Sequence, residues 1–275
     1  MNKTSFYLVI VAIIISTAFI VACQNENTIT IVTVSSEVSF SMEGTGYMTI
    51  DWSDGTAPEP LLANANAHYN HKYISGGGHT IIIKGKVTSL NCEDNNLISI
   101  NASKCTALQS LECWKNDLTS LDVSKCTALQ RLKCTSNNLI SLDVSKCTAL
   151  QSLECGKNNL TSLDVSKCTA LQSLECGKNN LTSLDVRKCT ALRSLYCWEN
   201  NLTSLDVSKC TALLVLNCTS NIFSATALNT LFGTLHSNPI HPIGCSDKPI
   251  WISDNPGSTG CNISIAEKKG WRVNN

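Results

Sequence analysis

Histidine, proline and aromatic side chains are scarce in this chain, and neither sign of charge prevails. Its 275 residues hold five histidines, six prolines and 5% Phe, Trp and Tyr, with 21 basic residues against 21 acidic ones. That balance, at only 15% charged residues, excludes the basic face of a nucleic-acid binder. No histidine falls between residues 80 and 235, and no HExxH or CxxC pair occurs anywhere. An enzyme gathers a nucleophile and base, a carboxylate pair or a metal in one cleft. Here Ser, Asp and Lys recur evenly instead, so the chain reads as non-catalytic, with no cofactor and no metal.

Two things are abundant: cysteine, at sixteen residues, and a strict period. From Leu97 to Asn221 a 21-residue unit recurs six times without insertion, most clearly as Leu160–Asn180, LTSLDVSKCTALQSLECGKNN. Such a period is the mark of a solenoid. Each copy nests two units. Leu118, Leu121, Val123, Cys126 and Leu129 spell LxxLxVxxCxxL, and Leu129, Leu132, Cys134, Asn137 and Leu139 spell LxxLxCxxNxL. Both centres alternate in-out-in, which predicts two short strands per coil. The pattern resembles the 21-residue bacterial leucine-rich repeats of the IRREKO type over almost half the chain. It implies a mainly β leucine-rich-repeat solenoid. Leucines in phase would stack every ~4.8 Å, each worth roughly 1.5–3 kcal/mol.

Asn95, Asn116, Asn137, Asn158, Asn179, Asn200 and Asn221 form a column expected to satisfy backbone groups at a turn. Thirteen cysteines fall in two further columns. Cys92, Cys113, Cys134, Cys155, Cys176, Cys197 and Cys218 take a leucine slot. Cys105, Cys126, Cys147, Cys168, Cys189 and Cys210 take the slot where such repeats hold Asn or Cys. Neighbours ~5 Å apart with parallel Cβ vectors suit disulfides poorly, so buried free thiols are expected. Cys245 and Cys261, outside both columns, are the candidate disulfide, worth about 3 kcal/mol.

The flanks differ from the repeat. Residues 1–22 join Lys3 to an apolar run, Phe6 to Val21, ending Ile20-Val21-Ala22-Cys23. This resembles the lipobox of bacterial lipoproteins. It implies a signal peptide, a lipid anchor in the membrane on Cys23, a tether over 23–28, and an outer-membrane lipoprotein at the cell surface or on the periplasmic face. An uncleaved anchor is the alternative, since about 17 apolar residues is the lower edge of a bilayer span.

Residues 29–86 turn to β pattern. The order DWSDG, HKY, HTIIIKG, starting at Asp51, His71 and His79, resembles a shortened PKD-type β-sandwich, with Trp52 and Tyr73 as core. His68, His71 and His79 near Asp51 and Asp54 lack ligand spacing for a metal. The solenoid spans 87–223, and 224–275 reads as a C-terminal α/β cap. There Ser224 starts a helix with Leu228, Leu231, Phe232 and Leu235 on one stripe. A strand at Pro249–Ile252, a helix at 264–269 and a strand at 271–273 follow.

Function should lie where copies differ. The LDV strand barely varies: Asn101, Asp122, Asp143, Asp164, Asp185 and Asp206 face outward, with Lys three residues on, a charge pairing. The LEC strand varies, through Glu112, Lys133, Glu154, Glu175, Tyr196 and Asn217, then Trp114, Thr135, Gly156, Gly177, Trp198 and Thr219. Tyr196 and Trp198, flanked by Arg193, have the composition of a contact hot spot. Trp114 lies four coils away, ~19 Å, so only a polymer or protein surface would touch both. The chain is read as a lipid-anchored cell-envelope binding module for a host or bacterial surface protein or polysaccharide. Resemblance to surface leucine-rich-repeat adhesins of Gram-negative bacteria implies the same. The alternative is a structural periplasmic protein without an external ligand.

Overall fold

The computed structural model describes residues 27–61, 67–74, 77–238 and 247–275. The expected targeting segment, Cys23 and Cys245 lie outside them. Five strands open the described chain: β1 (Thr28–Thr33), β2 (Glu37–Asp51), β3 (Glu59–Leu61), β4 (Ala67–Lys72) and β5 (His79–Asn91). Alternation along β2 buries Val38, Phe40, Met42, Met48 and Ile50, and Trp52 and Tyr73 join them in the core. Here β2 pairs with β3, β4 and β5, and β5 runs on to pair in parallel with the first coil, so all fifteen strands among the described residues belong to one sheet. Within β5, Gly85 has a φ of 115°, and a Cβ there would lie 2.6 Å from the Tyr47 carbonyl oxygen, so only glycine fits.

One LEC strand per coil follows: β7 (Ser110–Glu112), β9 (Arg131–Lys133), β10 (Ser152–Glu154), β11 (Ser173–Glu175), β12 (Ser194–Tyr196) and β13 (Val215–Asn217). They pair in parallel and in register, so Leu111, Leu132, Leu153, Leu174, Leu195 and Leu216 stack and are fully buried. The expected second strand persists only in the first two coils, as β6 (Leu97–Asn101) and β8 (Ser120–Asp122). β1 pairs with both β5 and β6, bridging the two walls and covering the open end.

The LDV segments bond locally in every coil, in those with a strand as in those without. Asp143, Asp164, Asp185 and Asp206 turn Oδ1 back to accept the amide two residues on, at 2.8–3.0 Å, as Asn101 does in the first coil. The side chains of Ser145 and Ser166 first, then these amide bonds, and the lysines only after them, hold the Asp143 and Asp164 carboxyls below their ordinary range. Beyond β8 the Val carbonyls are met by sulfur: the Cys168 thiol donates to the Val144 carbonyl at 3.7 Å and the Cys210 thiol to Val186 at 3.4 Å. A shallow groove lined by Leu121, Asp122, Ser141 and Asp143 opens where the ladder ends.

The asparagine column supplies what the strands do not. Asn158 Oδ1 accepts from the Leu139 amide at 3.0 Å, and Nδ2 donates to the carbonyls of Cys134, Cys155 and Gly156 at 3.0–3.2 Å. The residue before each such Asn is left-handed, with φ between 45° and 59° from Asp94 to Asp254, although none is glycine. Asn95 ties the column to β2 through the Ser39 amide and carbonyl.

After Asn221 the chain forms α1 (Ala225–Thr234), with Ser224 accepting the Ala227 amide at 3.1 Å and Leu228, Leu231 and Phe232 buried. Then β14 (Lys248–Trp251), α2 (Ser264–Glu267) and β15 (Trp271–Asn274) complete the cap. β14 and β15 extend the parallel sheet beyond β13. Asn255 repeats the ladder contacts, taking the Phe223 amide and giving to Cys218 and Ile252, so the cap is a further, irregular coil. Buried Lys248 donates to the carbonyls of His236, Asn238 and Lys269, tying its loops together.

All thirteen column cysteines are buried free thiols. Cys261 is half-buried and donates to the Ser258 carbonyl at 3.3 Å; its candidate partner, Cys245, falls outside the described residues. Burial pushes Cys92, Cys134, Cys168 and Cys218 up to about 12.

Two outcomes follow from this packing. Asn158→Ala strands one amide and three carbonyls and should cost on the order of 3–5 kcal/mol in urea unfolding, whereas exposed Asn159→Ala should cost under about 0.5 kcal/mol. The column thiols should resist a thiol reagent at pH 8 until the chain is unfolded. Because the unfolded thiols ionise near their ordinary value and the folded ones only about 12, stability should fall as pH rises above about 9. Thiols that react at once in the folded protein would contradict this burial.

Candidate binding face

The LEC wall is a rigid ladder whose outward side chains line up rung by rung about 4.8 Å apart. One row runs Asn91, Glu112, Lys133, Glu154, Glu175, Tyr196, Asn217 and Trp251 through successive pairings. Its two halves differ in chemistry. Toward the N-terminal end it is charged, and Lys133 Nζ lies 3.5 Å from Glu154 Oε2. Over β12 to β14 the face around the row becomes largely apolar: Tyr196, Trp198, Val215, Pro249 and Trp251 are all half-buried there, grouped about Asn217.

Trp198 owes its position to a missing side chain. A Cβ at Gly177 would sit 2.3 Å from Trp198 Nε1 and 2.4 Å from Cε2, so the indole lies flat across the neighbouring coil on a glycine shelf. Tyr196 is one rung above Glu175, and Arg193 is exposed where β12 begins. The structure therefore brings Tyr196, Trp198 and Arg193 to one end of the wall. Trp114 stays with the charged end, with the Lys115 and Lys133 ammonium groups 4.6 and 4.9 Å from its ring centroid. Its Nε1 is buried without a hydrogen bond, as is Thr135 Oγ1 in the next coil.

Trp251 and Pro249 are the residues that reading the repeat alone omits. They belong to this face because β14 pairs with β13, setting Trp251 beside Asn217. The only signal in the sequence is a short apolar strand, Pro249–Ile252, with no leucine phase to align it.

Glu175 stands between Glu154 and Tyr196 in the row. Burial first, then the Glu154 charge, raises its carboxyl above the ordinary value. The histidines near the N-terminal end are engaged differently. His71 Nε2 lies 2.8 Å from Asp54 Oδ2, and its ring stacks on Trp52 with centroids 4.3 Å apart. Tyr73 stacks on His79 at 3.6 Å, and His68 Nε2 lies 2.9 Å from Ser39 Oγ. Thr56 hydrogen bonds, more than His71, bring Asp54 down to about 2. Among the described residues, no three His, Cys, Asp or Glu side chains gather as a metal site would require.

No protein-family model matches the chain, and no curated protein does. Solved structures do. An internalin C2 from Listeria monocytogenes aligns with a TM-score of 0.55 at 17% identity, over 68% of this chain and 80% of that one. The functional domain of InlJ from the same organism, described as including a cysteine ladder, aligns at 23% identity with a TM-score of 0.38, over 70% of this chain. The chain spans 54% of that InlJ domain. A Shigella effector leucine-rich-repeat domain aligns at 24% identity with a TM-score of 0.49, over 68% of this chain and 80% of that one. The likeness to the internalin C2 establishes the leucine-rich-repeat fold and, at 17% identity, nothing about ligands.

The glycine shelf is directly testable. Gly177→Ala should lift the Trp198 indole off the wall and red-shift its share of the fluorescence, a change absent when Trp198→Phe is made first. An unchanged spectrum would mean the indole does not rest on Gly177.

Proposed function

We propose that this chain is a non-catalytic recognition module that binds a macromolecular partner, a protein or a polysaccharide, through the C-terminal half of its LEC wall. The observation carrying this reading is the contrast along one face of a uniform repeat. Where other coils present charge or glycine, β12 to β14 present two tryptophans, a tyrosine, a valine and a proline, half-buried and contiguous. Flat aromatic rings on a rigid sheet supply large contact area at little entropic cost. The leucine-rich-repeat fold supports the reading, since the internalin C2 structure shares this architecture. In this proposal the module is held at the cell envelope by a lipid on Cys23, and the wall faces a host or bacterial surface ligand in the manner of an adhesin.

Surface proteins and polysaccharides screened against the purified module should yield a ligand whose binding falls at least about tenfold in Tyr196→Ala and Trp198→Ala. Melting temperature should stay within a few degrees. Binding that survives both substitutions, or a collapse of stability in both, would remove the wall as the binding face. Palmitate labelling in the host should be lost in Cys23→Ser; persistent labelling would remove the anchor.

A further inference from the structure

The apolar end of the LEC wall adjoins a carboxylate that no direct ion pair holds among the described residues. In the row that leads to Tyr196, Lys133 pairs with Glu154 at 3.5 Å, and the next rung is Glu175. The two carboxylates stand one rung apart, about 4.8 Å, and Lys133 and Lys157 draw on Glu175 only from beyond ion-pair distance. Among the described residues no hydrogen bond or ion pair reaches the Glu175 carboxylate, although its side chain is half-buried. Tyr196 follows on the next rung, and the Trp198 indole covers Gly177, two residues after Glu175 in the same coil. A partly desolvated carboxylate beside two aromatic rings is matched by a lysine or arginine, through an ion pair and a cation–π contact together. Burial and Glu154 both raise the Glu175 carboxyl, so the protein holds this charge at a cost that a bound cation would offset.

The spacing of the wall also sets the shape of the occupant. From Glu175 the row climbs through Tyr196 and Asn217 to Trp251, three rungs, or about 14 Å. An extended chain running up the row rises about 3.4 Å per residue and turns every second side chain to the wall. A cation over Glu175 would therefore be followed by an apolar side chain over Trp251 roughly four residues later, both facing the sheet. Polysaccharides give no reason for the unpaired carboxylate, and acidic ones would be repelled by it.

We infer that the strand face from Glu175 to Trp251 docks an extended segment of a partner protein that carries a lysine or arginine and, four residues further on, an aromatic or branched aliphatic side chain. This rests on the recognition reading above and adds the partner's chemistry to it.

The test is a positional-scanning array of immobilised nonapeptides probed with the full chain, wild type and variants, at low and high salt. The wild type should select Lys or Arg with an apolar residue four positions later, and high salt should weaken the selection. Glu175→Gln should lose the preference for the cation, with affinity for the best peptides falling about tenfold while the melting temperature holds. Trp251→Ala should lose the apolar position alone. Selection of neutral or acidic peptides, or a cation preference that survives Glu175→Gln, would overturn the inference. If Trp198→Ala still abolished that binding, the recognition face itself would stand. Retention of neutral polysaccharide beads and no peptide would overturn the inference and assign the face to a glycan. Failure to retain either probe, in wild type and variants alike, would count against both readings.

Discussion

One buried amide per coil holds this molecule together. Each coil must reverse direction in a left-handed turn that leaves backbone amides and carbonyls of two coils facing the core. Leaving such groups unpaired costs about 1–3 kcal/mol each. The ladder asparagine meets four of them at once, as Asn158 does for Leu139, Cys134, Cys155 and Gly156. Because two of these belong to the coil below, the side chain closes its own turn and fixes the stacking distance to its neighbour. The same geometry appears at both ends, with Asn95 bonded to β2 and Asn255 bonded to the last turn of the solenoid. That is how a one-dimensional stack is capped without an exposed apolar face.

The two walls that the ladder joins are built on different terms. The LEC wall is a true parallel sheet, in which each strand amide and carbonyl is committed to a neighbouring coil. Past β8 the LDV segments form no strand: aspartate accepts the amide two residues on, the cysteine thiol donates to a valine carbonyl, and one bond per coil, such as Asn159 N–H to the Leu139 carbonyl, still crosses between coils. Cysteine suits that slot because it is small, apolar enough to be fully buried, and still a weak donor. The LEC wall is consequently the rigid one, and a rigid flat surface is where aromatic side chains can be displayed without first being ordered. Structure thus links the conserved part of each coil to the variable part, since invariant leucines and asparagines hold the strand on which residues at positions such as 154, 175, 196 and 251 are presented.

Much of this was legible in the residues. A 21-residue period with no insertion specifies stacked coils, and a fixed asparagine column specifies the turn. Inward cysteine followed from its sharing a column with leucine. What the period could not show is anything that depends on spacing across coils. The LDV and LEC segments alternate alike, yet only the second pairs along its whole length. The final rung was hidden for a different reason: helix α1 and its loop separate Asn255 from Asn221, so the phase is broken in sequence but restored in space. Trp251 was missed with it. The aspartate column was read as a charge row, whereas its main task is to accept a backbone amide, which Asn101 performs equally well without charge.

Amide hydrogen exchange measured coil by coil tests the central claim most directly, namely that one wall pairs as strands throughout and the other does not. The amides of Cys134, Cys155, Cys176 and Cys197, bonded to the next coil at 2.8 Å, should exchange only with global unfolding. Those of Leu163, Asp164 and Val165, which bond to no backbone carbonyl among the described residues, should exchange orders of magnitude faster. Equal protection on both walls would mean that the second sheet continues through every coil, and the account of a single rigid presenting wall would be wrong.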